Sequence, residues 1–340
     1  MDFEVKFFSV LCGDAIIIRY LGEDGLFHNI LIDGGYVKTY ATVLKPALLE
    51  IKKQNEKIDL AVVTHYDNDH IGGIISLIND REFDIESFVG SWLLNVDLPL
   101  TNSSGEVSIA KLRTLKGYLD QIGKLPLPAI AGRSFDLYGA KIAVLSPNQE
   151  GYTIAKDHIE AADTKIGRKT SDHTIPLDEF RKIIANNPVE DTSISNGASI
   201  AIHFSYKQKS ILLLADAFPS VVCESLRQLG VSERQKLKVD YVKLSHHGSK
   251  FNISNELINL LACNNYVISS NGLNKDNLPH KETIARLLLM RPQGSQLLSL
   301  FFTCHDNVLN RIFQSDTTDV YEHYNFKCIF PTTEPEITLH

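Results

Sequence analysis

Short apolar runs recur along the whole chain, each closed by polar or turn-forming residues. They fall at residues 15–18, 29–32, 60–63, 141–144, 198–202, 210–214, 239–244 and 266–268. Runs of this kind, rich in isoleucine and valine, read as buried strands. Between them apolar residues return at helical spacing over residues 42–53, 74–79, 109–122, 177–184, 220–229, 256–261 and 281–289. Strands alternating with helices through both halves predict an α/β chain of two sheets with helices outside, an αβ/βα sandwich. Residues 1–290 are expected to form the main domain, and 291–340, with apolar segments at 297–302 and 328–330, to pack on it as edge strands.

Two segments interrupt the alternation. Residues 81–135 hold Trp92, a Ser/Gly turn at 101–105 and an amphipathic helix. Residues 148–195 are polar and rich in turn formers, with a charged amphipathic stretch near the end. An insertion of that length is more often functional than inert. It is expected to be a lid or a protein-partner surface, with a plain surface excursion as the alternative.

The chemistry is concentrated after the third run. His65-Tyr66-Asp67-Asn68-Asp69-His70 follows the strand pattern directly, and Ile71-Gly72-Gly73-Ile74-Ile75 then opens a helix pattern. Four metal-binding groups on one strand-to-helix loop can face two neighbouring points, His65 with Asp67 and Asp69 with His70. Two adjacent metal sites are the expectation from that spacing.

The pattern H-x-[HD]-x-D-H resembles the signature of the metallo-β-lactamase fold. With Asp67 where most members carry a second histidine, it looks like the branch of ComEC-type DNA-uptake proteins and phosphorylcholine esterases. The segments 8–18 (with Gly13-Asp14), Leu31-Ile32-Asp33-Gly34-Gly35, Leu145-Ser146-Pro147, Asn196 with Ser199, Leu213-Leu214-Ala215-Asp216, Leu244-Ser245-His246-His247-Gly248-Ser249, Val267-Ile268-Ser269-Ser270 and Pro279-His280 follow in that branch's order. The resemblance implies a four-layer metallo-β-lactamase sandwich with 148–195 inserted before the second-half strands. It also implies two divalent ions, His65 and Asp67 holding one, Asp69 and His70 the other. Asp216, at a strand end, would bridge them, and Asp33 would hydrogen-bond the metal histidines. Asn196 and Ser199 stand where the wider fold completes its first site with a histidine. Fewer imidazoles and more carboxylates favour manganese or magnesium over zinc, with zinc still open. Of His246 and His247, one is expected to reach metal or substrate and the other to be held by backbone. The reaching one would stabilise charge on phosphorus. His280 is either the last metal ligand or a helix-start residue, and His173 either a lid group or a surface histidine.

A hydroxide held between two ions is a nucleophile at neutral pH, so the implied activity is hydrolysis of a phosphodiester, with Asp69, His246 and His247 acting on it. DNA is the first candidate, and Lys250, Lys275 and Lys281 could touch its backbone. A small phosphoester is the runner-up, and a subunit of a bacterial assembly, antiphage defence included, is the third. The net charge of −7 argues against a broad nucleic-acid-coating face, though not against a cleft made positive by ions. No apolar run approaches the roughly 20 residues of a membrane span. The N-terminus has no secretory pattern, and five scattered cysteines read as core thiols,. A cytoplasmic protein without membrane contact is expected.

Overall fold

The computed structural model describes residues 2–90, 107–127, 129–157, 171–292, 294–332 and 336–340. Trp92, the turn at 101–105 and residues 158–170 of the insertion lie outside them. The first half lays down β1 (Phe3–Phe8), β2 (Ile16–Leu21), β3 (Phe27–Ile32), β4 (Ile58–Val62) and β5 (Ile85–Val89). There follow β6 (Ser134–Leu137), β7 (Ala140–Ser146), β8 (Ala201–Tyr206), β9 (Lys209–Leu213), β10 (Leu237–Lys238), β11 (Tyr241–Lys243), β12 (Leu261–Ala262), β13 (Asn265–Ile268), β14 (Leu298–Phe302) and β15 (Phe326–Ile329). The last strand, β16 (Glu336–Leu339), returns to pair antiparallel with β1. Among the described residues one large sheet runs β16-β1-β2-β3-β4-β5, a second runs β15-β14-β13-β11-β9-β8-β7-β6, and β10 pairs with β12 in a small two-stranded sheet.

Alternation along the strands makes four layers. In β2, Ile16, Ile18 and Tyr20 meet Ile142, Ile202 and Phe204 of the other sheet. Ile17 points away, into a second core with Leu48 and Ile51 of the helix Lys45–Lys53 and Ile74 of the helix Asn68–Asp80. On the far side Leu212 and Val242 pack against Val222, Leu226, Leu257, Ile284 and Leu287. Each sheet is buried on both faces, and each side chain of this size contributes roughly 1.5–3 kcal/mol of burial. The result is the αβ/βα sandwich.

Departures from expectation are local. The run at 198–202 reads as a strand, yet β8 begins only at Ala201. Ala198, Ser199 and Ile200 are buried as loop instead. An apolar run reports burial, and the backbone there is used to carry Ser199. The end segments 297–302 and 328–330 coincide with β14 and β15, which extend the second sheet in parallel. The second part of the insertion differs from a lid. Leu177, Phe180 and Ile184 sit in the core against the second sheet's helices. Asp172 accepts the Lys281 and Glu282 N–H groups at 2.9 and 3.0 Å, capping the helix Lys281–Leu289. His173 bonds the Pro279 carbonyl at 2.8 Å. The helical spacing over 177–184 corresponds to these three core residues.

Candidate metal centre

The motif straddles the end of β4 and the first turn of the helix Asn68–Asp80. Gly72 and Gly73 let that helix lie directly on Gly34 and Gly35. A Cβ on Gly73 would stand 1.9 Å from the Gly34 carbonyl oxygen, and one on Gly72 2.8 Å from that of Gly35. This contact brings Asp33, after β3, behind the motif. Asp33 Oδ2 accepts from His70 Nδ1 at 2.8 Å and from Thr64 Oγ1 at 2.6 Å. The Nε2 atom of His70 is thereby turned outward.

The other ligands come from the second sheet. Asp216 follows β9 after Ala215, whose φ of 45° lies in the left-handed region. His246 and His247 follow β11 and adopt φ of 46° and 55° in succession. Such conformations are costly for side chains with a Cβ and cluster at functional sites. Here they set the two rings 76° apart, so that each reaches a different oxygen of Asp216. His246 Nε2 lies 3.8 Å from Oδ2, and His247 Nε2 3.9 Å from Oδ1. The sequence expectation left one of the pair to the backbone. Both face the cluster instead.

Seven side chains therefore form two sets around Asp216. Oδ2 of Asp216 lies 3.7 Å from His65 Nε2, which is 3.8 Å from Asp67 Oδ2, and His246 completes that set. Oδ1 lies 3.4 Å from His70 Nε2, which is 3.9 Å from Asp69 Oδ2. His247 Nε2, 3.2 Å from Asp69 Oδ2, completes the second set. Donors at 2.0–2.2 Å from one tetrahedral ion stand roughly 3.4 Å apart, and the groups whose donors all lie within 4.8 Å of one another are His65-His70-Asp216 and Asp69-His70-His247, with Asp67 and His246 each near one member of the first. His65, His70, His247 and Asp216 are buried, while Asp67, Asp69 and His246 border solvent. A further group, Asp14, Asp33 and His70, lies behind the second set. There His70 offers Nδ1, already committed to Asp33, so that group orients and does not bind an ion.

Four atoms test the fit. His65 Nε2, His70 Nε2, His247 Nε2 and Asp216 Oδ1 are buried without a hydrogen-bond partner. Each such atom costs about 1–3 kcal/mol if nothing satisfies it. A divalent cation satisfies convergent imidazole lone pairs and carboxylates together. The charges agree. Burial, with Asp69 and Asp216 nearby, pushes the Asp67 carboxyl up to about 7. Burial pulls His65 down to about 3, with His70 adding to it. At His246 burial acts in the opposite sense to the Asp216 and Asp191 carboxylates, which prevail and push it up to about 10. Carboxylates crowded together recruit protons where a cation is wanted.

Groups behind the ligands fix them. Ser195 Oγ donates to Asp67 Oδ2 at 3.1 Å, and Ser199 Oγ accepts the Asp216 N–H at 3.0 Å and lies 3.4 Å from His65 Nδ1. Asn196 Nδ2 lies 3.2 Å from His246 Nδ1 and donates to Asp191 Oδ2 at 2.7 Å. His247 Nδ1 bonds Ser269 Oγ at 3.1 Å. Ser269 in turn donates to Asp14, which pairs with the fully buried Lys243. Asp14, Asp191, Ser195, Lys243, Asn252 and Ser269 are outside the sequence-derived site. Their signal, isolated polar residues beside strand ends, is common to any surface.

Three expected residues are placed elsewhere. His280 Nδ1 accepts the Lys250 N–H at 3.2 Å, its ring packs edge-on to Phe251, and it stands at the N-terminus of the helix Lys281–Leu289. Like Asp67 and His246, it is in none of the groups of donors that lie within 4.8 Å of one another among the described residues, and the contacts it makes here are those of a helix-start residue. Lys250 Nζ pairs with Glu282 at 3.1 Å, so its charge is already balanced. Lys281 is buried against Asp316 and Ser315, away from any substrate.

The metallo-beta-lactamase superfamily model matches residues 14–87, the stretch from Asp14 through the motif. No curated protein matches the chain. Similar solved structures include Igni18, a metallo hydrolase from Ignicoccus hospitalis KIN4/I, at 15% identity, covering 99% of both chains with a TM-score of 0.42. The metallo-beta-lactamase fold protein YhfI from Bacillus subtilis is 8% identical over 99% of both, with a TM-score of 0.42. CmlA, a diiron beta-hydroxylase from Streptomyces venezuelae, is 11% identical with a TM-score of 0.44. All of this chain is covered there, and it spans only 54% of CmlA. From Asp14 to Ser87 the chain is thus similar to the metallo-beta-lactamase superfamily, and the sandwich with a ligand-bearing edge is the fold that similarity implies.

Proposed function

We propose that the protein is a metal-dependent phosphodiesterase, with DNA as the first substrate class. One observation carries this: Asp216 turns one carboxylate oxygen to each of two sets of imidazole and carboxylate donors. His65, Asp67, His246 and Asp216 would hold one ion, and Asp69, His70, His247 and Asp216 the other. Divalent ions there supply Lewis acidity toward phosphoryl oxygens and lower the pKa of water. Three carboxylates among seven donors support oxygen-loving ions such as manganese or magnesium, with zinc also accommodated.

The chain's own groups bind and orient. Substrate reaches the cluster from the side bordered by Asp67, Asp69 and His246. Tyr36, half-buried, is held protonated by burial and by Asp69, and so offers a hydroxyl donor to a phosphate oxygen. Lys111, half-buried on the helix Val107–Gln121, has its ammonium pulled below the ordinary range by burial, with Asp69 acting in the opposite sense. The ComEC-like resemblance supports DNA over a small ester, and five unpaired cysteines support a reducing compartment,. No helix of the described residues is long and apolar enough to cross a membrane.

The test is incubation of manganese-loaded protein with single-stranded DNA, duplex DNA, bis(p-nitrophenyl) phosphate and p-nitrophenyl phosphate. Cleavage of DNA and of the diester is expected, and its loss in a folded Asp216→Asn variant. Turnover of the monoester alone would move the assignment to a small-phosphoester hydrolase.

A further inference from the structure

Building on the metal-centre reading, we infer that Asp191 is a positioning residue that makes His246 a ligand, by facing its Nδ1 and by orienting the Asn252 amide, against the Asn196 NH2 that stands 3.2 Å from the same nitrogen. Asp191 lies in the last part of the inserted segment and is itself held in place. Its N–H donates to the Phe251 carbonyl at 3.0 Å, and its Oδ1 accepts the Ser193 N–H at 3.0 Å. Its Oδ2 accepts from Asn196 Nδ2 at 2.7 Å and from Asn252 Nδ2 at 3.0 Å. An ionised carboxylate only accepts, so both amides must turn their NH2 groups toward it.

For Asn252 the consequence is chemical. With Nδ2 committed to Asp191 and to the Asp216 carbonyl at 3.2 Å, its Oδ1 faces His246 Nδ1 at 2.9 Å. An acceptor at that position requires the imidazole proton on Nδ1. Nε2 then carries the lone pair, and Nε2 is the atom that faces Asp216 Oδ2. Asp191 Oδ2, 3.4 Å from Nδ1, reinforces the same tautomer. Without the carboxylate Nδ1 loses its charged acceptor and only the Asp216 carbonyl still holds the Asn252 amide, which is then freer to turn over and present NH2 to Nδ1. The proton then sits on Nε2, where it blocks ligation. The end of the inserted segment therefore determines whether the first ion is held.

The experiment titrates ion-free wild type and Asp191→Asn with cobalt(II), reading the visible d–d absorption and the bound metal, with circular dichroism melts of both ion-free proteins. Wild type is expected to take two equivalents. Asp191→Asn is expected to melt like wild type and to keep one site at wild-type affinity, the other weakened about 10- to 100-fold. Two unchanged equivalents in Asp191→Asn would overturn the inference and leave the metal centre standing. Wild type that bound no cobalt would overturn both. Should Asp191→Asn not fold, the same cobalt titration of Asn252→Ser decides, because Asn252 is the amide through which Asp191 acts. One weakened site is expected, and two unchanged equivalents would overturn the inference.

Discussion

Lys243 is the residue whose burial demands most explanation. It ends β11 with its side chain between the sheets, fully buried, and its ammonium pairs with Asp14 and reaches the Ala215 carbonyl at 3.3 Å. Burial works to raise the Asp14 carboxyl, yet Lys243 and then His247 and His70 bring it below the ordinary range. The ion pair thus keeps a negative charge behind His247 without adding to the net charge of the ligand set. Breaking such a pair from one side leaves an uncompensated buried charge and costs roughly 3–5 kcal/mol. Lys243→Met is therefore expected to destabilise the ion-free protein by about that much, measured by urea unfolding. The double variant Lys243→Met with Asp14→Asn should recover part of the loss. A double variant less stable than Lys243→Met alone would show that the pair is not the reason for either residue.

At the scale of elements, the contact of the helix Asn68–Asp80 with the Gly34-Gly35 turn places the motif. Gly73→Ala forces backbone apart where the Gly34 oxygen would lie 1.9 Å from the new Cβ. A loss of about 1–3 kcal/mol or more is expected, together with weakened metal retention, because Asp33 and His70 ride on the two surfaces. Unchanged melting and unchanged metal content would contradict this packing account. The same element shows what was legible beforehand. His65 to His70 could be read as a site because four ligands and the Gly-Gly that seats them are contiguous. Asp191, Asp14 and Lys243 could not, because each acts on a partner at least 55 residues away and resembles an ordinary polar residue in its own neighbourhood. The insertion misled for a related reason. Its polar majority suggested a lid, while Leu177, Phe180 and Ile184, already at helical spacing, fill the core.

For the whole molecule, the centre is a seam. Asp33 and residues 65–70 come from the first sheet's loops, and Asp191 to Ser199, Asp216 and His246-His247 come from the second's. Neither half alone holds a complete ligand set. The ends of the chain tie the same halves together, β14 and β15 extending the second sheet and β16 returning to β1 of the first. Only the half-exposed edge of the cluster faces substrate, so the account stands or falls on what occupies the space among these seven side chains.

Anomalous diffraction from crystals grown with manganese tests that directly. The account predicts two peaks about 3.5–4 Å apart. One would lie among His65, Asp67, Asp216 and His246, and the other among Asp69, His70, Asp216 and His247. A single peak away from Asp216, or none within ligand distance of these residues, would contradict it.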